Sequence, residues 1–579
     1  MSNKSNQETH SLKAANENPW YVLMTLYDNP EQNRRIWNSW VTGALNDEER
    51  KSVGGQLGTG TLNYRDWASN REKVEPIFKA EWNQRNPNLE CPPLPDPKLE
   101  IDFSETHFSE DTPFIAEGLI FSKCSFSRCS FDQKAKFRNV IFCRPVDFLL
   151  AKFAEGVDFS STEFRSSTSF NLAKFIKSSK FADTNFSSET GVVEFNQAEF
   201  GNSEYRDELM KLHGNQFRDD LLESTNFSKT VFNCPAAFFD AKFFHKLKFK
   251  EGQFHKYVYF NRAVFSCSVL FQEWRFDEYV YFQDVKFEST VDFDDNRFEE
   301  NAYFNHATFK EKCDFSKGVF NRDVRFDKAV FHHHVYFLSV TFTGRAYFLE
   351  TEFGLPDSPK ECRADFSDSS FQLPANFRRA IFRINYPILS GTLLHEHSFF
   401  SFDARLWPDD NRKKDKTQEL NEFPDSAVSP TTLARECCAV IRNCLTKQGL
   451  TEPAHFFFRR EMGFTMREAT IRQQIPYRLY WILSDFGNSI WRPAAVLFIV
   501  FSIFSSVFFT LSPVACSGCP NALTHSFLNT VSLFGSVRQY YPDCSSDLRP
   551  ILSTMQTMIS YILLFLFALG LRQRFRLRS

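Results

Sequence analysis

The sequence lacks a surplus of charge of either sign. Across 579 residues, 68 Lys and Arg stand against 71 Asp and Glu, a formal net charge of −3. The signs also mix locally: Lys246, Lys248, Lys250 and Lys256 sit close together, and Asp292, Asp294, Asp295, Glu299 and Glu300 follow. No face of one sign, the footprint of nucleic-acid contact, is expected from such a mixture. Basic and aromatic residues do interleave from Lys246 to Arg262, but a repeat described below dictates the aromatic positions, so no nucleic-acid partner is expected. Catalytic motifs are missing too. There is no P-loop, no G-x-S-x-G and no H-E-x-x-H, so the chain is expected not to be an enzyme and to hold no cofactor. His332, His333 and His334 read as solvated corner residues, and His395 and His397 lack a third ligand, so no metal site is expected. The 14 cysteines are irregularly spaced, which argues against a disulfide framework in the middle of the chain and fits a reducing compartment. Residues 1–19 have no apolar core, so no cleavable signal peptide is expected there.

What the sequence has is a ruler of phenylalanine. From Phe227 to Phe353 the steps alternate five and six residues, a true period of 11. The same rhythm runs from Phe126 to Phe186 and returns at Phe366, Phe371, Phe377 and Phe382. Two positions before each Phe stands a small apolar residue, Ala (Ala241, Ala263, Ala307) or Val (Val258, Val280, Val324), with a polar residue between. Small-apolar, polar, Phe is period-two alternation over three residues, the mark of a very short half-buried strand. Polar corner residues follow each strand, so the chain turns and begins another. Short strands that keep turning close into coils, and stacked coils pair at roughly 4.8 Å. Such a short period over hundreds of residues predicts a solenoid lined by Phe over Phe and Ala over Ala. Cys313 occupies an inward small-residue position and is expected as a buried thiol. Trp274 and Asn296 occupy the same kind of position; one demands a local distortion, the other a buried hydrogen-bond partner.

This pattern resembles the pentapeptide-repeat family, in the variant whose units pair as F-x-x-A-x-F and F-x-x-x-V-x-F, over about half the chain. The resemblance implies a mainly β fold, a right-handed quadrilateral β-helix with four short strands per coil. Nine or ten coils are then expected, a rod of about 45 Å. Some members of the family mimic DNA and bind topoisomerases. That requires a strongly acidic face, which the mixed charge here disfavours.

The end of the chain carries apolar runs. Pro493–Ser512 and Ile551–Leu571 are charge-free and near the ~20 residues that cross ~30 Å of hydrocarbon. Tyr477, Tyr480, Trp481 and Trp491 precede the first run as an interfacial aromatic belt, and Arg492 abuts it. Arg572, Arg574, Arg576 and Arg578 follow the second, whereas the connector 513–550 has only Arg538 and Arg549. Positive flanks outside both runs place both termini in the cytoplasm, in a multi-pass protein of the inner (cell) membrane. Cys516, Cys519 and Cys544 in the connector are candidates for a disulfide in an oxidising exterior, with reduced thiols the alternative. Asn521–Ser536 is semi-apolar and too short to cross: a re-entrant helix or an extracellular amphipathic loop. Span, re-entrant helix, loop and span is the layout of two-span ion channels, and pentapeptide-repeat proteins with a C-terminal pair of spans are similar. A stacked-carbonyl potassium filter is absent. Thr530, Ser532, Gly535 and Ser536 are the candidate lining of any pore.

The domain reading follows. Residues 1–18 are expected to be disordered, and 19–98 to form a mainly helical cap and linker with Trp20, Trp37 and Trp40 as core. Residues 99–402 form the β-helix, with inserts near 201–226 and 354–365 as places for binding. Residues 403–430 are a linker, 431–475 a helical hairpin separated by Gly449 with Leu433, Val440, Leu445, Phe456, Met462 and Phe464 at apolar spacing, and 476–579 the membrane domain. The leading expectation is a scaffold presenting the rod to an unknown protein partner at the membrane. The alternative is a channel gated by the rod, assembled as a homo-oligomer through its spans.

Overall fold

The computed structural model describes residues 12–53, 67–188, 190–213, 223–355, 362–408, 428–511, 521–531 and 548–575. It divides into two units, 1–409 and 410–579.

The first unit is a parallel β-solenoid of about 13 turns. Its four faces carry 13, 13, 11 and 10 strands. Strands of two residues dominate, and equivalent positions on one face repeat every 22 residues: Val258 pairs with Val280, Val280 with Ala302, Ala302 with Val324. Inside, the phenylalanines form four stacks. Phe260, Phe282, Phe304 and Phe326 lie nearly parallel with centroids 4.8–4.9 Å apart. The next stack meets them edge-on, as at Phe282 and Phe293, 5.6 Å and 78°. Offset and edge contacts are the arrangements that aromatic quadrupoles favour.

The rod is longer than the nine or ten coils read from the rhythm, for two reasons. The first coils break the five–six alternation, yet Phe103 and Phe108 still stack on Phe126 and Phe131. The inserts also leave the stack intact: Phe181 lies on Phe227 at 4.6 Å, and Phe337 on Phe366 at 4.8 Å. Ser224–Asn226 and Ala364–Asp365, inside the expected inserts, are already strands. About 13 turns at ~4.8 Å make a rod of roughly 60 Å.

Every second corner puts a side chain in left-handed backbone. From Arg262 to Glu350 each eleventh residue has φ between 53° and 59°. The turn closes by hydrogen bonds such as Ala329 N–H to Phe326 O, 2.9 Å. The left-handed region costs an L-residue about 1–2 kcal/mol, partly offset in glycine by its larger entropy loss. Lys328→Gly, at an exposed corner, is therefore expected to stabilise its coil by up to about 1 kcal/mol, read by hydrogen exchange of the neighbouring amides.

From Thr162 on, polar side chains at the inward position just after a left-handed corner follow one rule: they donate to the Phe carbonyl one coil back. Thr184 Oγ1 donates to Phe159 O (2.8 Å) and Thr351 Oγ1 to Phe326 O (2.7 Å). Asn296 obeys it too, Nδ2 donating to Phe271 O, while its Oδ1 accepts the Trp274 N–H at 2.7 Å. The indole of Trp274 fits because Gly252 lies one coil below; a Cβ there would stand 2.0 Å from the ring. Cys313 is a fully buried thiol, its pKa pushed up by burial.

Helices α1 (Pro19–Met24), α2 (Pro30–Thr42), α3 (Asp47–Val53) and α4 (Trp67–Arg85) precede the rod. Asn18 and Asn29 cap α1 and α2 ahead of Pro19 and Pro30, a strong start signal. The cap closes the open first coil: Trp37 Nε1 donates to Ile120 O at 2.8 Å, and Asn38 bonds both Gly118 O and the Ile120 N–H. Order begins earlier than the polar composition of 1–18 implies, because Lys13–Ala14 pair with Thr106–His107 and satisfy an otherwise bare strand edge. At the far end Trp407 stacks on Phe382 at 5.1 Å. Helix α5 (Ser203–His213) forms part of the first insert.

The second unit holds α6 (Pro430–Lys447), α7 (Thr451–Glu468), α8 (Ile471–Ser484), α9 (Trp491–Thr510), α10 (Ala522–Val531) and α11 (Leu548–Phe575). The expected hairpin is α6–α7, turned at Gly449 (φ +74°). Its buried face is Cys437, Ile441 and Leu445 against Ala454, Phe457 and Phe464, rotated from the Leu433, Val440, Phe456 and Met462 positions, which are half-buried. Helix α8 is separate from α7, begun by a Thr470–Gln473 capping box. Helices α9 and 550–572 of α11 are long and apolar enough to cross a membrane.

Candidate binding face and the polar centre of the helical unit

No core-packing rule fixes the outward side chains of the rod, so composition there reports something other than core filling. Most of the surface is zippered by ion pairs between successive coils: Lys177–Glu155 (2.7 Å), Lys256–Glu278 (2.9 Å), Lys310–Glu288 (2.8 Å), Arg262–Asp240 (2.7 Å). One face differs. Its outward positions on four successive coils read Pro235-Ala237-Phe239, Tyr257-Tyr259-Asn261, Tyr279-Tyr281-Gln283 and Asn301-Tyr303-Asn305, without a charge.

The rings form a ladder. Phe239 stacks on Tyr259 at 5.0 Å, Tyr259 on Tyr281 at 4.7 Å, and Tyr281 on Tyr303 at 5.0 Å. Because ring faces are spent on each other, edges and hydroxyls are presented outward. Burial, then the neighbouring tyrosines, raises the Tyr281 pKa. Tyr257 and Tyr279 flank the ladder, more than a third exposed. Rigid Tyr with adaptable amides is the composition of antibody paratopes. The signal was in the sequence as Tyr directly before the inward Phe at 22-residue spacing, but a reading tuned to inward positions passes over it.

The same face changes character at both ends. Toward the cap, a groove of about 370 Å³ is lined by Glu100, Lys123, Asp147, Ser169 and Glu194 among others. Beyond the ladder come Arg325, stacked on Tyr347 at 4.2 Å, then Arg345 and Arg378.

Elsewhere on the rod, the lysine-rich strand Lys246–Lys250 has acids close by, with Lys250 3.6 Å from Glu251. His333 and His334 sit at the expected corner with rings 4.4 Å apart, and half-buried His395 and exposed His397 have rings 5.6 Å apart. Among the described residues no group of three His, Cys, Asp or Glu is placed to hold a metal.

In the helical unit, α10 lies against α9 and α11 by its polar face. Ser526 Oγ donates to Phe501 O at 3.0 Å, ten residues along α9 and so about 15 Å from its start, near the middle of the helix. The Gln556 side-chain nitrogen of α11, with two N–H groups to donate, lies within reach of three acceptors: Ser526 O (3.0 Å), Ser526 Oγ (2.7 Å) and Thr530 Oγ1 (3.1 Å). Ser553 and Gln556 also hold Asn529. Leu523, Phe527 and Val531 face outward and are exposed. The polar face of α10 is thus turned to α9 and α11 and its apolar face outward. Thr530, a candidate pore residue, is thus buried, its hydroxyl bonded to Ser526 O and Gln556. Ser532, Gly535, Ser536, Cys516, Cys519 and Cys544 lie outside the described residues. Gln556→Leu is expected to loosen α10 by about 1 kcal/mol, the usual scale of interhelical hydrogen bonds in membranes, seen as faster exchange of its amides in detergent.

Ahead of α9, helix α8 exposes Ile471, Ile475, Leu479 and Ile482 in one stripe. The turn between them is left-handed at Asp485, Phe486 and Gly487 (φ 52°, 54° and 83°). It is clamped from α7: Arg459 pairs with Asp485 at 2.6 Å, and the His455 ring bonds Phe486 O at 3.2 Å.

A sequence model of the family Pentapeptide repeats (9 copies) matches residues 297–341, in the second half of the rod. No curated protein and no solved structure matches the chain.

Proposed function

We propose that the chain is a membrane-anchored scaffold whose rod binds a protein partner on the cytoplasmic side of the inner membrane. The observation that carries this is the uncharged tyrosine–amide strip on a rod that elsewhere carries many inter-coil ion pairs. The membrane part is supported by two apolar helices of spanning length, the apolar stripe of α8 before them, and arginine on the outer flanks of both. The cytoplasmic side is supported by those arginines and by buried thiols such as Cys124, Cys313 and Cys437, none in a disulfide. No catalytic, cofactor or nucleic-acid role is proposed.

The test is a photo-crosslinking residue placed at Tyr281 in one strain and at Lys310 in another, with membranes fractionated afterwards. The scaffold reading expects one discrete adduct from position 281 that recurs after deletion of 493–579, although the protein then leaves the membrane fraction. Adducts equal at both positions, or none, reject it.

A second reading, a channel-like pore in a homo-oligomer of the spans, is favoured by the polar centre at the mid-length of α9. It expects an oligomer in detergent, and conductance in bilayers altered by alanine or cysteine at Thr530, Ser532, Gly535 or Ser536. A monomer with silent bilayers rejects it.

A further inference from the structure

We propose that the tyrosine face docks one extended peptide segment of the partner, uncharged in its middle, basic at one end and acidic at the other. This rests on the scaffold reading and names what the scaffold holds.

Size sets the first limit. Four coils at ~4.8 Å make a strip about 20 Å long and one strand wide, a few hundred Å². Folded partners need about 800 Å² each for a stable complex, so a second rod or another globular surface would find too little here. A single extended chain matches a strip of that width.

Charge sets the second. The groove at the cap end contributes Glu100, Asp147 and Glu194 against Lys123, a surplus of two acids. The other end contributes Arg325, Arg345 and Arg378 against Asp323 and Asp327, a surplus of one cation, with Arg379 paired to Glu350 at 2.9 Å. The face therefore runs negative, neutral, positive along the rod. Five strand steps separate Glu194 from Arg325, about 24 Å, which an extended chain covers in about seven residues at ~3.3 Å each. A Lys or Arg opposite Glu194 and an Asp or Glu opposite Arg325 or Arg345, with about seven uncharged residues between, satisfies both ends at once.

Chemistry sets the third. Stacked tyrosines offer edges and hydroxyls, with Asn261, Gln283 and Asn301 beside them. Those groups suit the amides of an extended backbone and small polar side chains. They do not suit sugar rings, which need an open aromatic face, or phosphates, which need cations in the middle of the strip.

The experiment pans a phage-displayed library of random linear dodecapeptides on the full-length protein in detergent, then measures synthetic winners by fluorescence anisotropy. Two variants accompany it: Tyr259→Ser with Tyr281→Ser and Tyr303→Ser, and Glu194→Lys with Arg345→Glu. Circular dichroism checks that each retains the rod. The expected winners carry the basic–neutral–acidic order and lose at least tenfold in affinity on the triple-serine protein. On the charge-reversed protein the same peptides weaken, and peptides with exchanged end charges recover. Winners that hold equally to both variants overturn the inference, since they bind outside the strip. Winners without the charge order, or no enrichment, overturn it too; the crosslink at position 281 then decides the scaffold reading separately.

Discussion

Gly252→Ala is expected to open the coils around it by about 3 kcal/mol, although it adds one methyl group. A Cβ at this position meets the far edge of the Trp274 indole at 2.0 Å and Thr230 O at 2.7 Å. The indole has nowhere to retreat. It is 1% exposed, edge-on to Phe249 at 5.1 Å and against Phe254 at 5.4 Å. Trp274→Val alone leaves a void over Gly252 and is expected to cost about 3 kcal/mol, in the range of large-to-small core changes. The double variant puts Ala beneath Val, the ordinary filling of this rod, and is expected to cost less than the sum by 1–3 kcal/mol, the usual coupling of residues in contact. The residual cost is the Thr230 carbonyl. Because a solenoid opens locally, the readout is hydrogen exchange of amides from Gln253 to Phe298 rather than one global melt. Additive effects of the two substitutions reject the pairing.

This pair also marks where the sequence was legible. A Trp and an Asn on small inward positions announce themselves, because the repeat states what each position should hold. How each is accommodated was not legible. Gly252 reads as one more small inward residue until the coil above it is known, and the acceptor for Asn296 is the Phe271 carbonyl, a backbone atom with no signature in sequence. The coil count fell short for a related reason: the rhythm counts spacing along the chain, whereas stacking is decided across coils, so Phe227 completes a stack that the insert before it seems to end. Outward positions were the least legible. No packing rule fixes them, so Tyr259, Tyr281 and Tyr303 were passed over while the Lys246–Arg262 texture beside them drew notice. In the helical unit, apolar length marked α9 and α11, but Ser526, Asn529 and Gln556 carry no pattern until three helices bring them together.

Acid is expected to loosen the rod first at the mouth of the first insert. The chain leaves its coil through Gly201, whose φ of +100° and contact with the His245 ring leave no room for a side chain, and returns at Ser224–Asn226. His245 lies between the two, 5% exposed, with Nδ1 3.4 Å from Thr225 Oγ1. Burial lowers its pKa from 6.5 to about 4, opposed by a hydrogen bond with the Ile176 backbone. The unfolded segment therefore takes up a proton that the folded one refuses. Stability is full above pH 6.5 and falls as pH drops toward 4, by about 1.4 kcal/mol per pH unit and so about 3 kcal/mol in all, then levels off once both states are protonated. His245→Gln keeps a polar side chain of similar length without the titration. It is expected to flatten the pH dependence of amide exchange at Phe200, Thr225 and Phe243 between pH 6.5 and 4, while coils beyond Phe287 exchange as in the unaltered protein. An identical slope in both proteins would show that other groups carry the acid sensitivity, and that His245 is accessible to protons in the folded rod.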